Sequence, residues 1–144
     1  MNVKQKILIA DDSEINRALL MEILGDGYEY LEAENGVRAV ELLRAHTDIA
    51  LVLLDIMMPQ MDGFALMEEV RRQQLANPPQ IIVVSALGRD DFIMRAVQLG
   101  ARFYMVKPFD MASLAARIRE SCGQGVVPLG TALNASARSL SIDE

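Results

Sequence analysis

Four apolar runs in this chain each close on residues that a hydrophobic core does not accept. Asp11 and Asp12 follow Ile7-Leu8-Ile9-Ala10, and Asp55 follows Leu51-Val52-Leu53-Leu54. Ser85 follows Ile81-Ile82-Val83-Val84, and Lys107 follows Phe103-Tyr104-Met105-Val106. Runs of this length alternate with segments of helical period. That alternation predicts βα units and an α/β fold with a parallel sheet covered on both faces. Strands are expected near Lys6–Ala10, Tyr28–Ala33, Ala50–Leu54, Gln80–Val84 and Phe103–Val106. The first, third and fourth are almost unbroken aliphatic runs, as strands buried on both faces require. The second sets Tyr28, Tyr30 and Glu32 against Glu29, Leu31 and Ala33, which places it nearer an edge.

Five helices are expected between and after the strands, each from an apolar stripe. The stripes are Ile15, Leu19 and Ile23; Val37, Val40 and Leu43; Phe64, Met67 and Val70; Phe92, Ala96 and Leu99; and Met111, Leu114, Ile118 and Cys122. Gly25, Gly36, Gly63, Gly100 and Gly123 punctuate the boundaries, and Asn77-Pro78-Pro79 separates the third helix from the fourth strand. Asp110 stands where a helix N-cap belongs, and the one histidine, His46, is expected to end a helix. The result is a (βα)5 domain over 1–123. The remaining 124–144, broken by Gly125, Pro128 and Gly130 and then rich in Ala and Ser, is expected to be a linker or tail. A short helix packed on the domain or on a second subunit is the competing reading.

In an open parallel sheet, ligands bind beyond the carboxyl ends of the strands. Asp11, Asp12, Asp55, Ser85 and Lys107 all fall there. Three crowded carboxylates repel one another unless protonated or given a cation. Mg²⁺ prefers oxygen ligands and needs only one or two carboxylates beside a phosphate oxygen. A carboxylate can itself accept a phosphoryl group as an acyl phosphate. Asp55 ends the central, most apolar strand and is the expected acceptor, with Lys107 and the Ser85 hydroxyl on the phosphoryl oxygens. Singly, each residue has a plainer use: an Asp-Asp pair caps a helix, and a Lys before proline or a Ser after a strand is a loop residue. Their coincidence at every strand end that borders one cleft carries the argument.

Composition narrows the function classes. The net charge of −6 disfavours direct nucleic-acid binding, which is driven by cationic neutralisation of phosphates. No apolar stretch approaches the roughly 20 residues of a membrane span, and Met1 to Lys6 is too short and polar for a signal peptide. One cysteine excludes an intrachain disulfide, and a cytoplasmic location is expected.

From about Lys6 to Gly123 the sequence resembles the receiver domain of two-component response regulators. The motifs are Asp11-Asp12-Ser13, Asp55-Ile56-Met57-Met58-Pro59 followed by Met61-Asp62-Gly63, Ser85-Ala86, and Lys107-Pro108-Phe109. The resemblance implies a flavodoxin-like, doubly wound sheet of order 2-1-3-4-5. It implies that Asp55 takes phosphate from a histidine kinase or phosphotransfer protein. Asp12, Asp55 and the Met57 main-chain carbonyl are the implied Mg²⁺ ligands, with Asp11 acting through a water and Mn²⁺ able to substitute. Ser85 and Tyr104 match the switch positions, Tyr104 turning inward on phosphorylation, and the Lys107-Pro108 peptide is expected to be cis. Such a domain is a signalling module that catalyses only its own phosphorylation and dephosphorylation.

The altered surface is expected on the fourth helix, fifth strand and fifth helix. It is read by an effector domain, a partner protein or a second copy in a phosphorylation-dependent homodimer. Arg102-Phe103 departs from the acidic residues that relatives with winged-helix outputs carry there. Val106 to Met111, with Leu114, Arg117, Ile118 and Arg119, is closer to the receiver of the sporulation master regulator. That likeness implies a piece of a transcription regulator; a stand-alone receiver is the alternative. An aspartyl-phosphate phosphatase of haloacid dehalogenase type also uses a strand-end Asp with Mg²⁺, but needs a second Asp where Met57 stands. A flavodoxin needs a hydroxyl- and Gly-rich loop where Asp11-Asp12-Ser13-Glu14 stands.

Overall fold

The structure is a computed structural model describing residues 4–108 and 111–122. The elements run β1 (Lys6–Ala10), α1 (Glu14–Leu24), β2 (Glu29–Ala33), α2 (Gly36–Ala45) and β3 (Ile49–Leu54). They continue as α3 (Gly63–Gln73), β4 (Gln80–Ser85), α4 (Asp90–Gln98), β5 (Phe103–Val106) and α5 (Met111–Cys122). All pairings are parallel and the order is β2-β1-β3-β4-β5, with the alternating strand at an edge as expected. Strand limits differ from the sequence reading by no more than one residue.

The aliphatic runs explain themselves once the sheet is covered twice. Successive side chains of a strand point to opposite faces. Ile7 and Ile9 enter one core with Leu51, Leu53, Phe103, Leu114 and Ile118. Leu8 and Ala10 enter the other with Val52, Leu54, Phe64, Met67 and Tyr104. α1 and α5 cover the first face, and α2, α3 and α4 the second. Cys122 belongs to the first core, and burial pushes its thiol pKa up to about 11, so it is an unreactive packing residue.

Four of the five stripes differ from expectation in part. On α1, Ile15 and Leu19 are exposed (80% and 50%), and the buried residue is Leu20. A second series spaced by four, Leu20 and Leu24, lies about 100° round the helix from Leu19 and Ile23, and only one of the two can face the sheet. Leu20, with Leu24 partly buried four residues on, takes that face. On α5, Leu114, Ile118 and Cys122 are buried as expected, but Met111 is exposed. Smaller changes of phase leave Val37 exposed on α2, while Ala39, Val40, Leu42 and Leu43 are buried. On α4, Ile93 is buried beside Ala96. α3 buries Phe64, Met67 and Val70 as read.

His46 does end a helix, its N–H donating to the Leu42 carbonyl. α4 is clasped to α3 by side chains. Arg95 bonds Glu68 at 2.8 Å and lies 4.5 Å from the Phe64 ring centroid, while Arg71 donates to the Gln98 carbonyl at 2.8 Å. Asp110, Gly123 and 124–144 lie outside the described residues. No helix among the described residues is long and apolar enough to cross a membrane.

Candidate functional site

Sheet register decides which strand-end residues meet. Ala10 of β1 pairs with Leu54 of β3, so Asp11 and Asp55 leave adjacent strands side by side. The Asp55 N–H donates to the Ala10 carbonyl at 2.9 Å, one further rung beyond the strands. Ser85 pairs with Val106, and the Lys107 N–H donates to the Ser85 carbonyl at 2.8 Å. The five predicted side chains are thereby brought to one edge.

Asp11 is buried (2% exposed), Asp55 is half-buried and Asp12 is exposed. Each offers one carboxylate oxygen within 4.8 Å of the other two. Lys107 Nζ lies 3.5 Å from Asp11 Oδ2. The other Asp11 oxygen accepts from the Ser13 N–H at 2.9 Å, and Ser13 itself caps α1 by accepting from the Asn16 N–H. Asp55 Oδ1 accepts from the Met57 N–H at 3.2 Å. Burial, and then the neighbouring charge of Asp11, push the Asp55 carboxyl above the usual carboxylate range. Lys107, the Met57 N–H and the Ser85 hydroxyl pull in the other direction without reversing it. A hard divalent cation suits this donor set, since oxygen donors converge and their mutual repulsion needs an opposite charge.

Ser85 is fully buried and its Oγ accepts from the Leu87 N–H at 3.1 Å. Tyr104 lies on the same face of the adjacent strand, since Val83 pairs with Tyr104. Its ring is 1% exposed and its hydroxyl donates to the Leu87 carbonyl at 2.5 Å. Burial raises its pKa. The ring is thus already inward in this structure, where the resemblance implied an inward turn on phosphorylation. The reason is local: the ring fills the second core and its hydroxyl has a carbonyl partner there. The Lys107-Pro108 peptide is cis, as expected. The Met57 side chain is 63% exposed beside the cleft.

Two features of the site escape a reading of strand ends. The loop between Asp55 and α3 is gripped by two glycines. Gly63 N–H donates to the Ile56 carbonyl at 2.9 Å, and a Cβ at Gly63 would lie 2.7 Å from the Asp55 carbonyl oxygen. Gly36 N–H donates to the Met61 carbonyl at 3.1 Å, where a Cβ would lie 2.3 Å away. The second feature is Arg17, one turn into α1. Its Nη1 donates to the Asp11 main-chain carbonyl at 2.6 Å and its Nε to Glu32 at 2.9 Å. The sequence marks Gly36 as a boundary and Gly63 as a boundary and motif residue, neither as a close packing contact, and nothing in apolar spacing marks Arg17.

Known proteins with this arrangement agree among themselves. The family described as the response regulator receiver domain matches residues 7–119. The chemotaxis protein CheY of Bacillus subtilis (strain 168) is 41% identical over 106 residues, covering 72% of this chain and 86% of that protein. Among solved structures, CheY in the CheX-CheY-BeF3-Mg complex of Borrelia burgdorferi is 30% identical with a TM-score of 0.72. That alignment covers 81% of this chain and 87% of that one. Vibrio cholerae CheY4 is 26% identical with a TM-score of 0.74, covering 83% and 99%. A family match over most of the length, a relative above two-fifths identity and the shared sheet order converge on one assignment: this chain belongs to the family of response regulator receiver domains.

Proposed function

We propose that the domain takes a phosphoryl group onto Asp55 from the phosphohistidine of a histidine kinase or phosphotransfer protein. The observation that carries this is the convergence of two further carboxylates, Asp11 and Asp12, on the half-buried Asp55, with Lys107 against Asp11. An Asp55 carboxylate oxygen attacks phosphorus. The bond from phosphorus to the donor imidazole nitrogen breaks with its electron pair leaving on that nitrogen. An acyl phosphate remains on Asp55. Mg²⁺, or Mn²⁺ in its place, supplies charge neutralisation on the transferring oxygens. Asp12, Asp55 and the Met57 main-chain carbonyl would hold it, with Asp11 acting through a water. Lys107 exchanges its contact with Asp11 for a phosphoryl oxygen, and the Ser85 hydroxyl donates to another. A Mg²⁺ ion in the Borrelia relative's complex supports the metal part of this reading. Incubation with acetyl phosphate should modify the protein with Mg²⁺ and leave it unmodified with chelator. Equal modification in both would remove the metal from the account.

The phosphorylated state is read on α4, β5 and α5 by an effector domain, a partner protein or a second copy. Phosphate adds about −1.5 to −2 charge at pH 7 beside Ser85, and it favours the active state only through such differential contacts. Amide shifts on phosphorylation should spread from the cleft into α4, β5 and α5; shifts confined to the cleft loops would defeat this.

Met57 and Leu87, two residues beyond Asp55 and Ser85, are apolar and orient no hydrolytic water, so the acyl phosphate is long-lived. Met57→Asn with Leu87→Glu should hasten its decay several-fold in a phosphate-release assay. An unchanged half-life would mean that these side chains play no part in hydrolysis.

A further inference from the structure

We propose that Arg17 is a positioning residue for the metal-binding carboxylate of Asp12. The proposal rests on the reading that this cleft binds Mg²⁺. Arg17 is not part of the acidic cluster, and its side chain is only 12% exposed. Its side chain bonds two different segments: Nη1 to the Asp11 carbonyl at 2.6 Å, and Nε to Glu32 of β2 at 2.9 Å. The carbonyl it holds is that of the peptide joining Asp11 to Asp12. On the other side, the Asp11 N–H donates to the Ala33 carbonyl at 3.0 Å, and the Asp11 side chain accepts from the Ser13 N–H. The Asp11 main chain is therefore fixed at both ends, with the arginine supplying the second fixture.

Asp12 has no such anchor of its own. It is exposed, and its carboxylate accepts no hydrogen bond from any described residue. Its direction follows from the peptide plane that precedes it. A planar guanidinium tied to β2 can hold that plane because its donors point in fixed directions; a flexible ammonium cannot make both bonds in the same geometry. Rotation of the Asp11-Asp12 peptide would carry the Asp12 carboxylate away from Asp11 and Asp55 and open the cluster.

Charge and position predict opposite signs for the same substitution. Arg17 is a cation bonded to the main chain of Asp11, so by Coulomb repulsion of Mg²⁺ alone its removal should tighten Mg²⁺ binding. If it positions Asp12, its removal should weaken binding. Residues that orient metal ligands typically cost ten- to a hundredfold in affinity when lost. The test is a Mg²⁺ titration of the full chain followed by amide chemical shifts, with thermal melts alongside. Arg17→Gln should raise the Mg²⁺ dissociation constant about tenfold. An unchanged or lower constant would overturn the proposal, and so would a drop in melting temperature with wild-type affinity. If Arg17→Gln does not fold, Arg17→Lys keeps the charge and the aliphatic stem. It should still bind Mg²⁺ several-fold more weakly than wild type, and wild-type affinity in it would overturn the proposal. Absence of Mg²⁺ binding in the wild type would instead overturn the reading of the cleft itself.

Discussion

Asp55→Asn is expected to abolish phosphoryl capture and, in the metal-free protein at neutral pH, to raise thermal stability. The amide has no anionic oxygen to attack phosphorus, and it also removes a charge that the cleft disfavours. Burial and the charge of Asp11 lift the Asp55 pKa above its unfolded value. The folded chain therefore binds this proton more tightly than the unfolded chain. The resulting stabilisation is complete below the unfolded pKa and is lost as pH rises through the folded one. At pH 7 the ionised carboxylate costs stability, and an uncharged amide of the same shape does not. The gain from Asp55→Asn should shrink as pH falls through the carboxylate range, where wild-type Asp55 is itself protonated. Added Mg²⁺ should narrow the gap from the other side. A ligand at ten times its dissociation constant stabilises by roughly 1.4 kcal/mol, and the asparagine variant binds it less well. Melts of both proteins across pH, with and without Mg²⁺, check all three signs. A variant less stable than wild type in chelator at pH 7 would mean that the carboxylate is not strained in the cleft.

Gly63→Ala should disable the site without touching any of its functional side chains. The added methyl would sit 2.7 Å from the Asp55 carbonyl oxygen and 2.8 Å from the Ile56 Cα. Both are main-chain atoms, so neither can turn aside as a side chain could. The Gly63 N–H is also bonded to the Ile56 carbonyl, and Asp62 caps α3 through the Ala65 N–H at 2.8 Å. α3 is thus anchored against the segment that carries Asp55, and the clash resolves by shifting one or the other. Overpacking of this kind costs about 1–3 kcal/mol. Displacing the acceptor by an ångström relative to its neighbours can cost about a hundredfold in rate. Thermal melts and the rate of labelling by acetyl phosphate measure the two consequences separately. Unchanged labelling in a folded Gly63→Ala variant would show that the close approach does not set the position of Asp55.

The sheet was legible because its chemistry leaves few choices. Ile7 to Ala10, Leu51 to Leu54 and Ile81 to Val84 are apolar at every position, as strands covered on both faces are, and at four residues each they are too short for helices. In a parallel sheet their polar terminators share an edge with Lys107, which ends Phe103 to Val106, so the sequence itself groups Asp11, Asp12, Asp55, Ser85 and Lys107. Helix faces were less legible. The spacing of Ile15, Leu19 and Ile23 satisfies a helical pattern, yet the packing surface runs through Leu20, and apolar residues on both sides of α1 hide its phase. Contacts made by main-chain groups were the hardest to foresee. The approach of Gly63 to Asp55 and the grip of Arg17 on the Asp11 carbonyl depend on how elements dock, and no periodicity records that. Tyr104 shows the same limit, since its position on β5 was readable but its burial against Leu87 was not.

One phosphoryl group is expected to settle on one carboxylate, that of Asp55. Intact mass spectrometry after incubation with Mg²⁺ and acetyl phosphate, followed by peptide mapping, addresses it directly. The expected result is a gain of a single phosphoryl group, borne by the peptide that contains Asp55 and absent from Asp55→Asn. An unmodified wild-type protein, or a phosphoryl group that persists in the asparagine variant, would contradict it.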